Sequence, residues 1–137
     1  MKNLYSLFLL IFLFFAACED SIQGPEDEIN NNGPTNMRSQ FSSIQAEVFS
    51  PSCALSGCHA GSQNPNLSAG QSYNNLVNVA SLENPSMLRV KPGDSNNSLL
   101  IKKLTGDGTS IMPPAGQLSQ AKIDSITSWI NKGAINN

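Results

Sequence analysis

The stretch Cys53-Ala54-Leu55-Ser56-Gly57-Cys58-His59 gathers two of the three cysteines and the only histidine of a 137-residue chain into seven residues. It reads as a covalent haem attachment site. The usual signature has two residues between the cysteines and a histidine directly after the second; here four residues separate them. The chemistry depends mainly on the Cys58-His59 end. Each thiol can add to a haem vinyl group as a thioether, and a histidine next to the second thioether is carried under the ring, where its imidazole can bind iron. The longer gap only enlarges the loop. Ser56 and Gly57 are small, and Gly57 tolerates positive φ, so Cys53 can still return to the ring edge.

Three other readings of these residues stay open. In an oxidising compartment Cys53 and Cys58 could form a disulfide, worth about 2 kcal/mol for so short a loop in the chain-entropy model. Cys53, Cys58 and His59 could instead be three zinc ligands, although no partner Cys or His pair occurs elsewhere. His59 as an ordinary surface histidine would leave its place beside Cys58 unexplained.

A second stretch, residues 105–117, contains Ile111-Met112-Pro113-Pro114. Each proline fixes its own φ and restricts the residue before it, so the backbone carrying Met112 is stiff. A stiff loop suits a thioether that must hold iron. Methionine alone is more often a gap-filler, and Met37 and Met87 read that way. Arg89 and Lys91 lie in the short extended run 87–94, closed by Pro92-Gly93, and could approach haem propionates. A solvated pair beside a turn explains them equally well.

The start of the chain reads as a targeting segment. Lys2 precedes a nearly apolar run from Leu4 to Phe15, too short for a comfortable membrane span. Phe15-Ala16-Ala17-Cys18 resembles the lipobox of bacterial lipoproteins, which implies a signal peptide over residues 1–17 and acylation of Cys18. The alternative is an ordinary signal peptide with a chance cysteine. Acylation would explain the odd third thiol and anchor the chain to a lipid bilayer. Residues 18–36, with Glu19, Asp20, Glu26, Asp27 and Glu28 among Gly, Pro and Asn, read as a flexible acidic linker. The sequence therefore predicts one folded domain, residues 37–137. It holds seven basic against five acidic residues. So mild a bias gives no support for nucleic-acid binding.

Charged residues make up 13% and aromatics 7% of the chain, with many Asn, Ser, Gly and Pro. The fold class expected is mainly α, with short helices and long loops. Met37, Phe41, Ile44, Val48 and Phe49 share a helical face, with Thr35 or Asn36 as N-cap and Pro51 forcing a stop near Ser50. Tyr73, Leu76 and Val77 mark a short second helix. A third carries Leu99, Leu100, Ile101 and Leu104, begins at Asp94 or Ser95 and ends at Gly106, with Lys102 and Lys103 complementing its dipole. The last helix follows Ser119, presents Ile123, Ile126, Trp129 and Ile130, and stops at Gly133. Trp129 is expected to pack it on the first helix and to wall the cofactor.

In this order the parts of residues 37–137 resemble a cytochrome c-like haem domain, in particular the variant of bacterial lipoproteins with a run like Cys-Ala-x-Ser-Gly-Cys-His. The matching residues are Arg89-Val90-x-Pro92-Gly93, Ser98-x-Leu100-Ile101-x-Lys103-Leu104, Met112-Pro113 and Trp129-Ile130-x-x-Gly133-Ala134. The resemblance implies a small, mainly α fold around one covalently bound haem c, with thioethers at Cys53 and Cys58, His59 as proximal ligand and Met112 as distal ligand. A single histidine rules out two histidine ligands within a monomer and leaves no distal histidine for acid-base cleavage of peroxide. The function expected is a membrane-anchored monohaem c-type cytochrome, an electron carrier rather than an enzyme. It would carry single electrons to or from a redox protein partner in the cell envelope. Its expected location is that of an outer-membrane lipoprotein facing the periplasm or the cell surface. A haem sensor or gas binder with Met112 displaced, and a haem-free binding module stapled by Cys53 and Cys58, are the alternatives.

Overall fold

The structure is a computed structural model that describes residues 38–137. The leader, Cys18, the acidic linker, and Thr35, Asn36 and Met37 lie outside the described residues. The architecture is mainly helical: α1 (Phe41–Ile44) runs straight into a π-helical segment (Gln45–Cys53), followed by α2 (Ser72–Leu76), α3 (Leu99–Thr105) and α4 (Gln120–Asn131). Extended pairing among the described residues is limited to isolated bridges between Val77 and Val90, Ala80 and Leu88, and Leu88 and Ser98. No described helix is long and apolar enough to cross a membrane.

The first helix differs from the sequence expectation at both ends. Its N-terminal residue is Phe41, preceded by Gln40 in extended conformation without a side-chain cap. The cap comes instead from the far end of the chain. Phe41 N–H donates to Asn137 Oδ1 at 2.9 Å, and Ser42 N–H donates to the Asn137 carbonyl at 2.9 Å. Two of the orphan donors that every helix start leaves are thereby satisfied.

Pro51 does not stop this helix. The backbone widens into π register from Gln45, and Pro51 sits inside that segment. In an α-helix the proline ring would meet the carbonyl of Glu47, four residues back, and would offer it no N–H. The wider turn relieves that conflict. Lys122 Nζ from α4 donates to the same Glu47 carbonyl at 2.9 Å. The segment therefore continues to Cys53, and the Ala54 N–H closes it on the Phe49 carbonyl at 2.7 Å.

Ile44, Val48, Phe49, Ile123, Ile126, Trp129 and Ile130 are all at most 2% exposed and form the centre of the core. Phe41 ties them together, with ring centroids 5.3 Å from Trp129, 5.1 Å from Tyr73 and 6.3 Å from Phe49. The face read from helical periodicity is thus the one buried between α1 and α4. Trp129 Nε1 donates to the Ile135 carbonyl at 2.8 Å, which gives the buried indole its partner.

The third helix begins later than expected. Asp94 and Ser95 belong to the turn before it, where Asp94 Oδ1 accepts from Asn97 N–H at 3.1 Å, and Ser98 occupies the N-cap position. Asp94 competes for local backbone donors and so builds a turn rather than a helix start. At the other end Gly106 is left-handed with φ +76°, as the sequence predicts. The Pro92-Gly93 turn closes with Asp94 N–H on the Lys91 carbonyl at 3.0 Å. Gly93 N–H then docks the turn on the Ile130 carbonyl of α4 at 2.8 Å.

Candidate functional site

The π-helical segment delivers Cys53 to the edge of a cleft of about 250 Å³. Cys53, Cys58 and His59 border it together with Met112, Arg89 and Lys103, over an apolar floor that includes Phe49, Leu67, Leu76 and Leu104. Of the site residues singled out in the domain sequence, Cys53, Cys58, His59, Met112 and Arg89 therefore line one cleft. Cys18 lies outside the described residues.

The loop that joins the two cysteines is closed by its own backbone. Cys58 N–H donates to the Leu55 carbonyl at 3.0 Å, and His59 N–H to the Cys53 carbonyl at 3.2 Å. Gly57 takes φ +79° within it, a conformation that a side chain would strain. Gln63, which also borders the cleft, braces the loop, its Nε2 donating to the Gly57 carbonyl at 3.0 Å.

Both cysteines are free thiols, Cys53 half-buried and Cys58 exposed. Burial is the main influence on Cys53 and pushes its thiol up to about 11, with the nearby Lys122 ammonium working in the opposite direction and Cys58 adding to the rise. Cys53 is consequently a protonated, sheltered thiol at neutral pH. The two cysteines and His59 do not converge as a metal-binding triad, and no group of three His, Cys, Asp or Glu suited to a metal ion occurs among the described residues.

His59 is the best-defined element of the site. Its Nδ1 lies 2.9 Å from the Pro65 carbonyl. A carbonyl only accepts, so Nδ1 carries a proton, and in the neutral imidazole Nε2 is then the nitrogen with the lone pair. This is the arrangement that readies an imidazole to be a metal ligand. The following loop is fastened to it: Leu67 N–H donates to the His59 carbonyl at 2.7 Å.

Met112 reaches the cleft from the loop after α3, where its N–H donates to the Lys103 carbonyl at 2.8 Å. Met87 does not line the cleft. Arg89 and Lys91 part company. Arg89 lines the cleft, with Nη1 donating to the Asn75 carbonyl at 2.7 Å. Lys91 is outside it, paired at 2.8 Å with Asp94, whose carboxyl this contact draws below the usual range. The cleft's second cation is Lys103, which the sequence explained by the helix dipole alone; its Nζ pairs with Glu83 at 2.7 Å. Alternating side chains on the extended run give Arg89 and Lys91 the same face. The turn ion pair nevertheless holds Lys91 at the surface. Trp129 also departs from expectation: it packs on the first helix but is not part of the cleft wall. At 1% exposure it is sealed behind the core residues.

An imidazole, a thioether, two thiols and two cations therefore border one partly apolar cleft. Comparison with family models, curated proteins and solved structures finds no match for this chain.

Proposed function

We propose that the chain is a membrane-anchored monohaem c-type cytochrome that carries single electrons in the cell envelope. The observation that carries this reading is His59, with Nδ1–H held by the Pro65 carbonyl at 2.9 Å and both flanking thiols and Met112 bordering the same cleft. A haem c fits these donors by their chemistry. Cys53 and Cys58 would hold it through thioethers, and His59 Nε2 and Met112 Sδ would be its iron ligands. Arg89, braced on the Asn75 carbonyl, would meet a propionate through a charge-assisted hydrogen bond.

Bound there, the haem supplies a one-electron iron couple, and a His/Met pair places its potential high. The chain's own share is to exclude water and fix the ligands. Phe49, Leu67, Leu76 and Leu104 give the apolar floor, and low polarity near the iron is one of the means by which a protein sets the potential. With His59 and Met112 both engaged in holding the iron, no ligand position would stay open for substrate, which favours electron transfer over catalysis. Acylation of Cys18 would hold the domain at an outer-membrane surface, within reach of a redox protein partner.

The test is the visible spectrum of the chain produced with haem-attachment machinery. A six-coordinate, low-spin haem that does not take up carbon monoxide when reduced at neutral pH is expected. Ready binding of carbon monoxide would replace the carrier with the gas-sensing alternative. A haem-free protein with Cys53 bonded to Cys58 would replace it with the stapled binding module.

A further inference from the structure

Three consecutive carbonyls in residues 65–67 are each held by a side chain. The Pro65 carbonyl accepts from His59 Nδ1 at 2.9 Å, the Asn66 carbonyl from Asn75 Nδ2 at 3.1 Å, and the Leu67 carbonyl from Gln45 Nε2 at 3.1 Å. Because a carbonyl only accepts, both amides must turn their nitrogen toward this strap. Gln45 is fixed from two further sides. It donates to Ser50 Oγ at 3.0 Å and accepts from Ser72 Oγ, whose residue is 0% exposed. Asn75 is steadied through its own carbonyl, which takes the Arg89 guanidinium at 2.7 Å.

The strap lies outside any helix or strand, so no periodic hydrogen bonding fixes the Pro65 carbonyl. Its position depends on what grips its neighbours. Gln45 and Asn75 do so from two different elements, the start of the π-helical segment and α2. We infer that Gln45 and Asn75 are positioning residues for His59: by clamping residues 66 and 67 they keep the Pro65 carbonyl against Nδ1–H and so keep Nε2 as the lone-pair nitrogen. This inference deepens the proposed function and rests on His59 as the iron ligand, since a ligating Nε2 requires that tautomer and gains basicity from the Nδ1 hydrogen bond.

The clamp can be read without haem, because the chain has a single histidine. In the full chain labelled with nitrogen-15 and kept free of haem, the imidazole nitrogen shifts in alkaline solution report the tautomer ratio. The Nδ1–H form is expected to dominate. Gln45→Glu keeps the shape of the side chain but sets a carboxylate oxygen against the Leu67 carbonyl, and Asn75→Ala removes the other clamp. Each is expected to lower the ratio of Nδ1–H to Nε2–H forms by about tenfold, the scale of one ordinary hydrogen bond. Ile126→Val, which thins the core without touching the strap, is expected to leave the ratio unchanged. An unchanged ratio in the clamp variants overturns the inference. Asn75→Ala truncates a half-buried side chain, so it keeps the test decisive if Gln45→Glu does not fold.

In the haem-loaded chain the same variants are expected to raise the reduction potential while thioether attachment persists, because a less basic imidazole stabilises the oxidised iron less. A potential that does not move overturns the link to iron. A chain that accepts no haem ends the proposed function, and the tautomer ratio still decides the clamp.

Discussion

Lys122 Nζ donates to the Glu47 main-chain carbonyl at 2.9 Å, stitching α4 to the π-helical segment that leads into Cys53. One lysine thus serves both the backbone that Pro51 disturbs and the thiol of Cys53, six residues after Glu47, since its charge also lowers the Cys53 pKa against the larger effect of burial.

The two thiols are expected to differ in reactivity in the haem-free, reduced chain. Cys58 is exposed, whereas Cys53 is half-buried with its thiol pushed up to about 11. Thiolate is the reactive form. Alkylation near neutral pH followed by peptide mapping is expected to mark Cys58 well before Cys53. Lys122→Met removes a charge that favours the thiolate, so it is expected to slow Cys53 further; equal rates at both cysteines contradict the burial argument.

The same shift has a stability consequence whose sign is fixed. The folded thiol titrates above its ordinary value of 9.0, at about 11, so the unfolded chain loses its proton first. The contribution is fully present below pH 9 and is lost as pH rises through about 11. Denaturant unfolding of the haem-free chain is expected to show stability falling across that window, and Cys53→Ala is expected to flatten this part of the profile.

Asn137 is expected to matter although it lies far along the chain from the helix it caps. Asn137→Ala removes the side-chain acceptor for Phe41 N–H and is expected to cost about 0.5–2 kcal/mol, the usual range for a lost N-cap. Urea titration checks this. A change within error would mean that the Asn137 carbonyl on Ser42 N–H suffices.

These contacts mark where the sequence was legible and where it was not. The buried faces of α1 and α4, the glycine end of α3 and the Pro92-Gly93 turn follow from periodicity and backbone preference, both local properties. Pro51 misled because its clash is specific to α register, and the chain escapes by widening. The true cap of α1 is Asn137, and such a partner has no signature near residue 41. At the site, Cys53, Cys58, His59, Met112 and Arg89 carried chemistry that drew attention to them. Lys103 did not, because a simpler explanation at the helix end was at hand. Gln45 and Asn75 are ordinary polar residues, and their relation to residues 65–67 exists only after folding.

Met112→Ala is expected to leave the haem covalently attached and to open its sixth position. The reduced variant is expected to bind carbon monoxide, and the parent chain is expected not to. Unaltered spectra would assign the sixth position to another side chain.

The most direct measurement is the intact mass of the chain, made where haem attachment operates, then denatured and reduced. A mass above that of polypeptide and acyl groups by one haem, with colour that acidic solvent extraction does not remove, is the expected result. A colourless chain with only the mass of its amino acids and lipid would contradict the haem attachment on which the proposed function depends.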